Sequence, residues 1–238
     1  MVDTLDQGRR PVVLLPKEKG AQSEEAIKTC PGIELSRIIE ADLSIVIQEL
    51  LLEWGPVIEV WEGYASDEKL RHRASSGGVS GALALYGIEK VGMEGVLHTR
   101  AREETPWLNR TVFSKSYEDI LAATGSRYSP ASPCDGLKKI EEGLEPSVFI
   151  GKPCDVAGAR KACMLRPGLN EKMGLTIAIF CAGTPATHGT IEMLRLMRVK
   201  DLSSVRSVRY RGMGWPGKSA ASIEADGRTE SRELSYEE

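Results

Sequence analysis

Three groups of residues in this 238-residue chain are of types and spacings that can do chemistry. The first is Ser75-Ser76-Gly77-Gly78, placed directly before an apolar run at helical spacing, Val79 to Gly87. A helix start leaves its first N–H groups unpaired and carries partial positive charge. Glycines let an anion approach that backbone and serine hydroxyls add donors, so the four residues form either a phosphate seat or a plain helix cap. No Gly-Lys-Ser/Thr ending follows and there is no GxGxxG fingerprint, so neither a P-loop nor a dinucleotide turn is present. The second group is Cys154 and Cys181, each at or just after the end of a short apolar strand. Ligands of open α/β sheets bind outside the strand carboxyl ends, and successive strands are commonly neighbours about 4.8 Å apart. Two thiols at that edge can serve one metal or cluster, act as a nucleophile, or simply pack. Cys154 also sits in the first turn of an expected helix, where the thiolate is favoured. The third group is "RYRGMGWPGKSA", 209 to 220. Arg211 can pair an anion in bidentate fashion and Trp215 can cover a ring, or the whole stretch is a glycine-rich turn.

The cysteine count narrows the choices. Cys30, Cys134, Cys154, Cys163 and Cys181 are odd in number and contain no CxxC pair. The count and spacing therefore argue against a disulfide framework and against a self-contained zinc site. Cys134 and Cys163 are expected to be packing residues, and two thiols cannot fill the four ligand positions of an iron–sulfur cluster. His72, His98 and His188 are scattered. His98 falls in a strand and reads as structural, and His188, beside the helix after Cys181, is a weak site candidate.

The elements that must position these residues follow from periodicity. Residues 1 to 30 are polar and broken by Pro11, Pro16 and Gly20, and read as a loosely ordered lead-in. Residues 31 to 55 carry apolar positions at helical intervals, as two short helices, and 56 to 65 alternate as a strand. A helix of about three turns follows Gly78. Strands at 93 to 101 and 110 to 115 precede a serine-capped helix, 116 to 125, and another at 134 to 144. A buried strand, Val148 to Ile150, ends at Gly151, and Pro153 suits the first turn of the next helix because its missing N–H would be unpaired there. The plan repeats as a strand at 175 to 181, a turn with Gly183 and Pro185 and a helix to about 198, and a further strand covers 204 to 212. Strands alternating with helices indicate an α/β fold with a mixed, largely parallel sheet and flanking helices. The polar stretch from 225 to 238 reads as a tail. Net charge is −3 and aromatic content 5 %, which argues against a nucleic-acid surface or a base-stacking platform. No apolar run reaches the length of a membrane span and the first residues lack a signal-peptide pattern, so a cytoplasmic location is expected.

Five stretches in order resemble a known family: "ASSGGVSGALALYGIE", "ILAATGSRYSPAS", "VFIGKPCDVAGARKA", "LTIAIFCAGTP" and "YRGMGWPGK". Together they are similar to the beta subunits of coenzyme F420 hydrogenases and dehydrogenases, a family that includes formate dehydrogenase subunits and plant 7-hydroxymethyl chlorophyll a reductase. The resemblance runs from about residue 30 to the end. It implies an iron–sulfur flavoprotein oxidoreductase that binds FAD and at least one [4Fe–4S] cluster, and passes electrons between the cluster and a hydride carrier such as coenzyme F420. It implies that Ser75, Ser76, Gly77 and Gly78 hold the flavin's phosphate or ribityl region, with Gly125, Ser126 and Tyr128 ("GSRY", in the family "GSKY") nearby. Arg211 and Trp215 fall in a further matching motif, and Cys154 and Cys181 match motif cysteines expected to ligate the cluster. No side-chain acid or base is assigned. An electron-transfer partner protein or a fused ferredoxin module is the expected partner.

Two departures from the family pattern matter. Members commonly begin with a ferredoxin-like module of CxxCxxC spacing, of which only "TCPG" at 29 to 32 remains, leaving Cys30 an orphan ligand. They also continue into a region with a further cysteine pair. The expectation is thus a lead-in over 1–30, a possible remnant of that module, and an α/β flavin and iron–sulfur domain over 31–238 that is incomplete at its C-terminus. Two rivals stand beside it: a truncated docking or assembly piece without catalysis, and a cysteine-nucleophile enzyme using Cys154, which lacks an obvious partner histidine.

Overall fold

A computed structural model describes residues 2–4, 8–10, 24, 26–35, 42 and 44–235. Most of the 1–30 lead-in and residues 36–41 of the first expected helix pair lie outside the described residues.

The chain begins with a two-stranded antiparallel pair, β1 (Val2–Thr4) and β2 (Gly8–Arg10). A single turn, α1 (Leu51–Trp54), follows a 3-10 turn. Then come α2 (Glu68–Arg73), α3 (Val79–Glu89), β3 (Val96–Ala101), β4 (Asn109–Ser114), α4 (Tyr117–Ala122) and α5 (Leu137–Glu141). The central repeat is β5 (Ser147–Gly151), α6 (Pro153–Leu165), α7 (Pro167–Lys172) and β6 (Met173–Ala178). The chain closes with α8 (Thr187–Leu196), β7 (Val205–Arg209), β8 (Ser219–Ala225) and β9 (Arg228–Leu234). Among the described residues no helix is long and apolar enough to cross a membrane.

The central sheet runs β4-β3-β5-β6. β3 pairs antiparallel with β4, and the β3–β5 and β5–β6 pairs are parallel, so the sheet is mixed and largely parallel, as the alternation of elements indicates. Its period-2 side chains build two cores. Val96 and Val148 face Leu70, Ala84, Leu85 and Ile120 on one side, whereas Leu97 and Phe149 face Leu137, Ile140, Ala162 and Leu169 on the other. Gly87 lets α3 lie close to the sheet, since a Cβ there would stand 2.8 Å from a Val148 methyl. Local chemistry starts the helices where the sequence indicates. The Ser116 hydroxyl accepts from the Asp119 N–H at 3.2 Å, and Pro153 opens α6.

Three expectations are corrected. Residues 56–65 form no strand. Apart from the Ile47 N–H to Val57 carbonyl bond and the Ala65 N–H to Gly77 carbonyl bond, the stretch gains no ladder, and most of its side chains face solvent. Alternation alone does not make a strand where no sheet edge accepts it. Residues 31–33 are a turn and 34–35 are irregular, and the described part of 44–55 holds only the 3-10 turn and α1 rather than a full helix. The polar stretch from 225, as far as residue 235 where the described residues end, is not a tail. It completes a second sheet, β7-β8-β9, wholly antiparallel. An Asp226-Gly227 turn with φ of 49° and 71° reverses the chain there, the geometry that two-residue hairpin loops require. Its buried face packs Val205, Val208, Ala221 and Ile223 against Leu194 and Met197 of the α8 region.

Candidate functional site

A cavity of about 620 Å³ opens where the chain leaves β5 and β6, between those strand ends and the start of α3. That is the edge at which open α/β sheets bind ligands. A groove of about 840 Å³ adjoins it, and the two share Ala74, Ser75 and Ser76 as a common wall.

The wall is held by an unusual backbone. Ser76, Gly77 and Gly78 follow one another at φ of 51°, 66° and 73°, all left-handed. The Gly78 N–H bonds the Ser75 carbonyl at 3.1 Å, and the Gly77 carbonyl accepts from Ala65 at 2.7 Å. A Cβ on Gly77 would stand 3.1 Å from Tyr64 Cβ, and one on Gly78 would stand 3.2 Å from Ala65 Cβ. Both glycines are thus demanded by the turn itself. Gly78 is buried and caps α3, lining neither space, whereas Gly77 lines the groove.

The second motif meets the first across 51 residues of sequence, through a 2.7 Å hydrogen bond between the Ser75 and Ser126 hydroxyls. Gly125, Ser126 and Tyr128 all line the cavity. Gly125 has φ of +88°, and a Cβ there would lie 3.0 Å from the Arg211 carbonyl, so the third motif seats directly on the second. The third motif also grips the first, because the Gly214 N–H donates to the His72 carbonyl at 3.0 Å. Arg211 and Trp215 line the groove rather than the cavity, with the guanidinium carbon 5.7 Å from the indole centre.

The cavity wall also holds a clamp, centred on Arg127 of the "GSRY" motif, to which the sequence assigns no role. Arg127 donates to Asn109 Oδ1 at 2.7 Å, to the Val208 carbonyl at 2.8 Å and to the Pro106 carbonyl at 2.7 Å, and stacks 5.0 Å over Tyr210. Burial lowers its pKa, and Tyr210 opposes that shift. Asn109 returns two bonds, to the Ser129 and Pro130 carbonyls at 2.9 and 3.0 Å. The guanidinium therefore ties the 125–131 wall to both sheets and is spent on structure. Tyr128 meets Tyr210 edge to face at 5.7 Å, and the Tyr210 and Thr190 hydroxyls bond at 2.6 Å.

The cavity interior is mostly apolar and hydroxyl-bearing. His98 lines it from β3, with Nε2 2.8 Å from the Ser114 hydroxyl. Burial drives its pKa down to about 4 against the pull of a Thr99 backbone bond, so the ring is neutral near pH 7. Lys152 and Asp155 stand at the mouth and neutralise each other at 2.6 Å. Lys152, Asp155 and Phe180 fall inside the quoted family stretches but have no role assigned there, and His98 falls in none of them. What marks them in the sequence is that the first three lie just past the ends of apolar strands and His98 falls within one.

The cysteines separate. Cys181 lines the cavity, and Cys154, exposed in the first turn of α6, lines neither space. The Cys30 segment lies beside the same helix, with Thr29 O 3.6 Å from the position of a Cβ on Gly158 and Lys161 Nζ bonded to the Glu34 carbonyl. Cys134 is half-buried, donates to the Asp155 carbonyl at 3.3 Å and has its pKa pushed up to about 12, chiefly by burial. Cys163 is buried, which raises its pKa too. Among the described residues no group of three or more His, Cys, Asp or Glu side chains is placed to hold a metal ion. The four-thiolate set of a [4Fe–4S] cluster is therefore not assembled by these residues.

The family model for the coenzyme F420 hydrogenase/dehydrogenase beta subunit N-terminal region matches residues 60–138, and that for the C terminus matches 145–236. The chain is 26 % identical over 132 residues to the coenzyme F420 hydrogenase subunit beta of Methanosarcina barkeri, covering 53 % of this chain and 45 % of that one. It is 28 % identical over 120 residues to the same subunit of Methanococcus voltae, covering 49 % and 42 %. The matches thus span less than half the length of these curated relatives. A chain of the xenon-derivatised F420-reducing [NiFe] hydrogenase complex of Methanosarcina barkeri shares the fold, with a TM-score of 0.56 and 22 % identity over 73 % of this chain and 59 % of that one.

Proposed function

The chain belongs to the coenzyme F420 hydrogenase/dehydrogenase beta-subunit family, and from that membership we propose that it is the FAD-binding module of an oxidoreductase that exchanges a hydride with coenzyme F420 or another hydride carrier. One observation carries the reading: Ser75 and Ser126, from two motifs far apart in sequence, are hydrogen-bonded to each other and, with the third motif packed against Gly125, both line a cavity at the strand carboxyl ends. Its volume falls in the range of about 300–1,000 Å³ typical of cofactor and ligand pockets.

The residues present fit a flavin. When bound, FAD supplies the two-electron hydride chemistry and the release of single electrons, which no side chain here can do. The chain's part is to bind and orient. The Ser75 and Ser126 hydroxyls retain acceptor and donor capacity toward a ligand after bonding each other. The neutral His98 ring offers a polar edge beside the apolar side chains of Leu70, Ile120 and Ile150. The residues described do not fit a [4Fe–4S] cluster, so no electron step is derived through one. Cys181 remains the candidate sulfur donor facing the cavity, and the electron-transfer partner is part of the proposal.

Flavin titration followed by F420H2 oxidation with an artificial electron acceptor tests the reading. We expect quenching of FAD fluorescence on binding, and about a fivefold weaker affinity in Ser126→Ala, the equivalent of about 1 kcal/mol for one neutral hydrogen bond. A wild-type chain that leaves FAD fluorescence unchanged at saturation refutes it. A docking role without catalysis draws on the exposed Leu52, Trp54, Val60 and Trp61. It predicts no oxidation of F420H2.

A further inference from the structure

Between α1 and α2 the segment 55–64 forms no helix or strand, and its two ends are fixed on opposite rims of the cavity. At one end Trp54, the last residue of α1, meets Phe180 edge to face with ring centres 6.0 Å apart, and Phe180 lines the cavity just past β6. At the other end the Ala65 N–H donates to the Gly77 carbonyl at 2.7 Å, and Tyr64 packs on Gly77, beside Ser75 and Ser76 of the cavity wall. The strand-end rim and the helix-start rim are therefore joined by this one stretch of chain. None of residues 55–64 lines the cavity, so the strap runs from rim to rim without filling the space.

The strap is built to move. The Ile47 N–H donates to the Val57 carbonyl at 2.7 Å, and beyond that bond the strap joins no ladder before Ala65. Segments held by so few backbone bonds open at low free-energy cost. Gly55 and Gly63 stand at its ends. Gly55 has φ of +79°, and at neither glycine does any atom beyond the chain neighbours stand within 4 Å of the place of a Cβ, so both can turn without collision. The apolar side chains of the strap face water. Trp61 is 82 % exposed and Trp54 62 %, and Ile58, Val60 and Tyr64 are each more than half exposed. Apolar surface of this extent in one short segment calls for a cover. The cavity rim presents matching surface at Ile179 and Phe180, both exposed, with Ile120 and Ile150 also lining the space.

We propose that Trp54 and residues 55–64 are a lid that closes over a planar ring bound in the cavity, turning at Gly55 and Gly63 and burying its apolar side chains against Phe180 and the outer edge of the ring. The inference rests on the flavin reading of the cavity. Residues 54–59 precede the stretch that the N-terminal family model matches, so this device is not carried by the family match itself. Trp54 is a positioning residue, acting through Phe180. A lid that shuts after the ring has entered blocks the exit more than the approach, so its loss is felt in dissociation.

Stopped-flow fluorescence of riboflavin mixed with the full chain measures the two rates separately in wild type, Trp54→Ala and Trp61→Ala. We expect dissociation to be about tenfold faster in at least one variant, with association within about twofold of wild type. Hydrogen exchange supplies a second readout. Saturating riboflavin should slow exchange of the 56–62 amides of wild type by about tenfold. Both tryptophan rings are exposed, so neither substitution removes core packing, and unchanged urea midpoints check this. The proposal is overturned if dissociation is unaltered in both variants, or if riboflavin leaves exchange at 56–62 as it was. Unaltered rates are also what a protein partner seated on these rings would give. A wild-type chain that binds no riboflavin refutes the flavin reading and the lid with it, whereas bound riboflavin with unaltered kinetics refutes the lid alone.

Discussion

His98 shows how a single side chain changes meaning once its neighbours are known. On β3 it shares a face with Val96, and its ring reaches diagonally to Ser114 on β4. Desolvation is the largest cause of its lowered pKa. The Thr99 backbone bond opposes it, Arg100 adds to it and Asp119 opposes it. Because the folded-state value, about 4, lies below the ordinary 6.5, the unfolded chain binds the extra proton first as pH falls. The stability this group contributes is thus fully present above pH 6.5 and is lost as pH drops toward 4, by about 3 kcal/mol in all. Urea denaturation above pH 6.5 and near pH 4 should show that loss in wild type and a shallower one in His98→Gln, whose amide can still reach Ser114. Equal slopes would mean that His98 has the same pKa in the folded and the unfolded chain. Gly77 and Gly78 carry a comparable lesson. Their left-handed backbone and the crowding by Tyr64 and Ala65 make them obligatory for the turn, whether or not an anion sits beside it.

Between elements, the Asn109–Arg127 pair is the joint. β4 supplies Asn109, which is 3 % exposed, and the loop after α4 supplies Arg127. Through Val208 the joint reaches the antiparallel sheet, so the cavity wall at 125–131 is braced from behind by both sheets. Asn109→Ala would strand two carbonyls and one guanidinium N–H in a buried setting. We expect it to cost about 3 kcal/mol, measured by chemical denaturation, and to weaken flavin binding as the wall loosens. Unchanged stability would show that water replaces the amide and that the brace is not structural. The helix starts, by contrast, are self-contained. Asp155 accepts from both the Lys152 backbone N–H at 2.9 Å and its ammonium at 2.6 Å, fixing the first turn of α6 without help from elsewhere.

At the scale of the whole molecule the five cysteines divide by burial rather than by sequence. Cys30, Cys154 and Cys181 are exposed, Cys134 is held protonated by its pKa of about 12, and Cys163 is buried with a raised pKa. Alkylation with iodoacetamide at mildly alkaline pH should label the three exposed thiols quickly and the other two only after denaturation, as read by intact mass. Rapid labelling of Cys134 would show that the 132–136 segment opens in solution. The same partition bears on metal chemistry. A cluster ligand set that included Cys134 or Cys163 would require the core beneath α6 to open, since Cys163 packs among Leu97, Phe149 and Leu169.

What the sequence by itself determined is local. Pro153, Ser116 and the strand-ending glycines set where helices start and strands stop, because steric and hydrogen-bonding rules act over a few residues. The order of short apolar runs and helical patterns likewise implies the mixed, largely parallel sheet, since a strand buried on both faces needs a covering helix on each. The Asp226-Gly227 hairpin was legible by the same rules, yet the polarity of β9, solvated on most of its length, masked it. Only the tertiary structure decided that Ser75 would bond Ser126, that Arg211 and Trp215 would line a groove apart from Gly125 and Tyr128, and that Cys181 but not Cys154 would face the cavity. Such meetings depend on which surfaces the whole chain buries together, and that is a property of the summed packing of the cores, not of any short stretch.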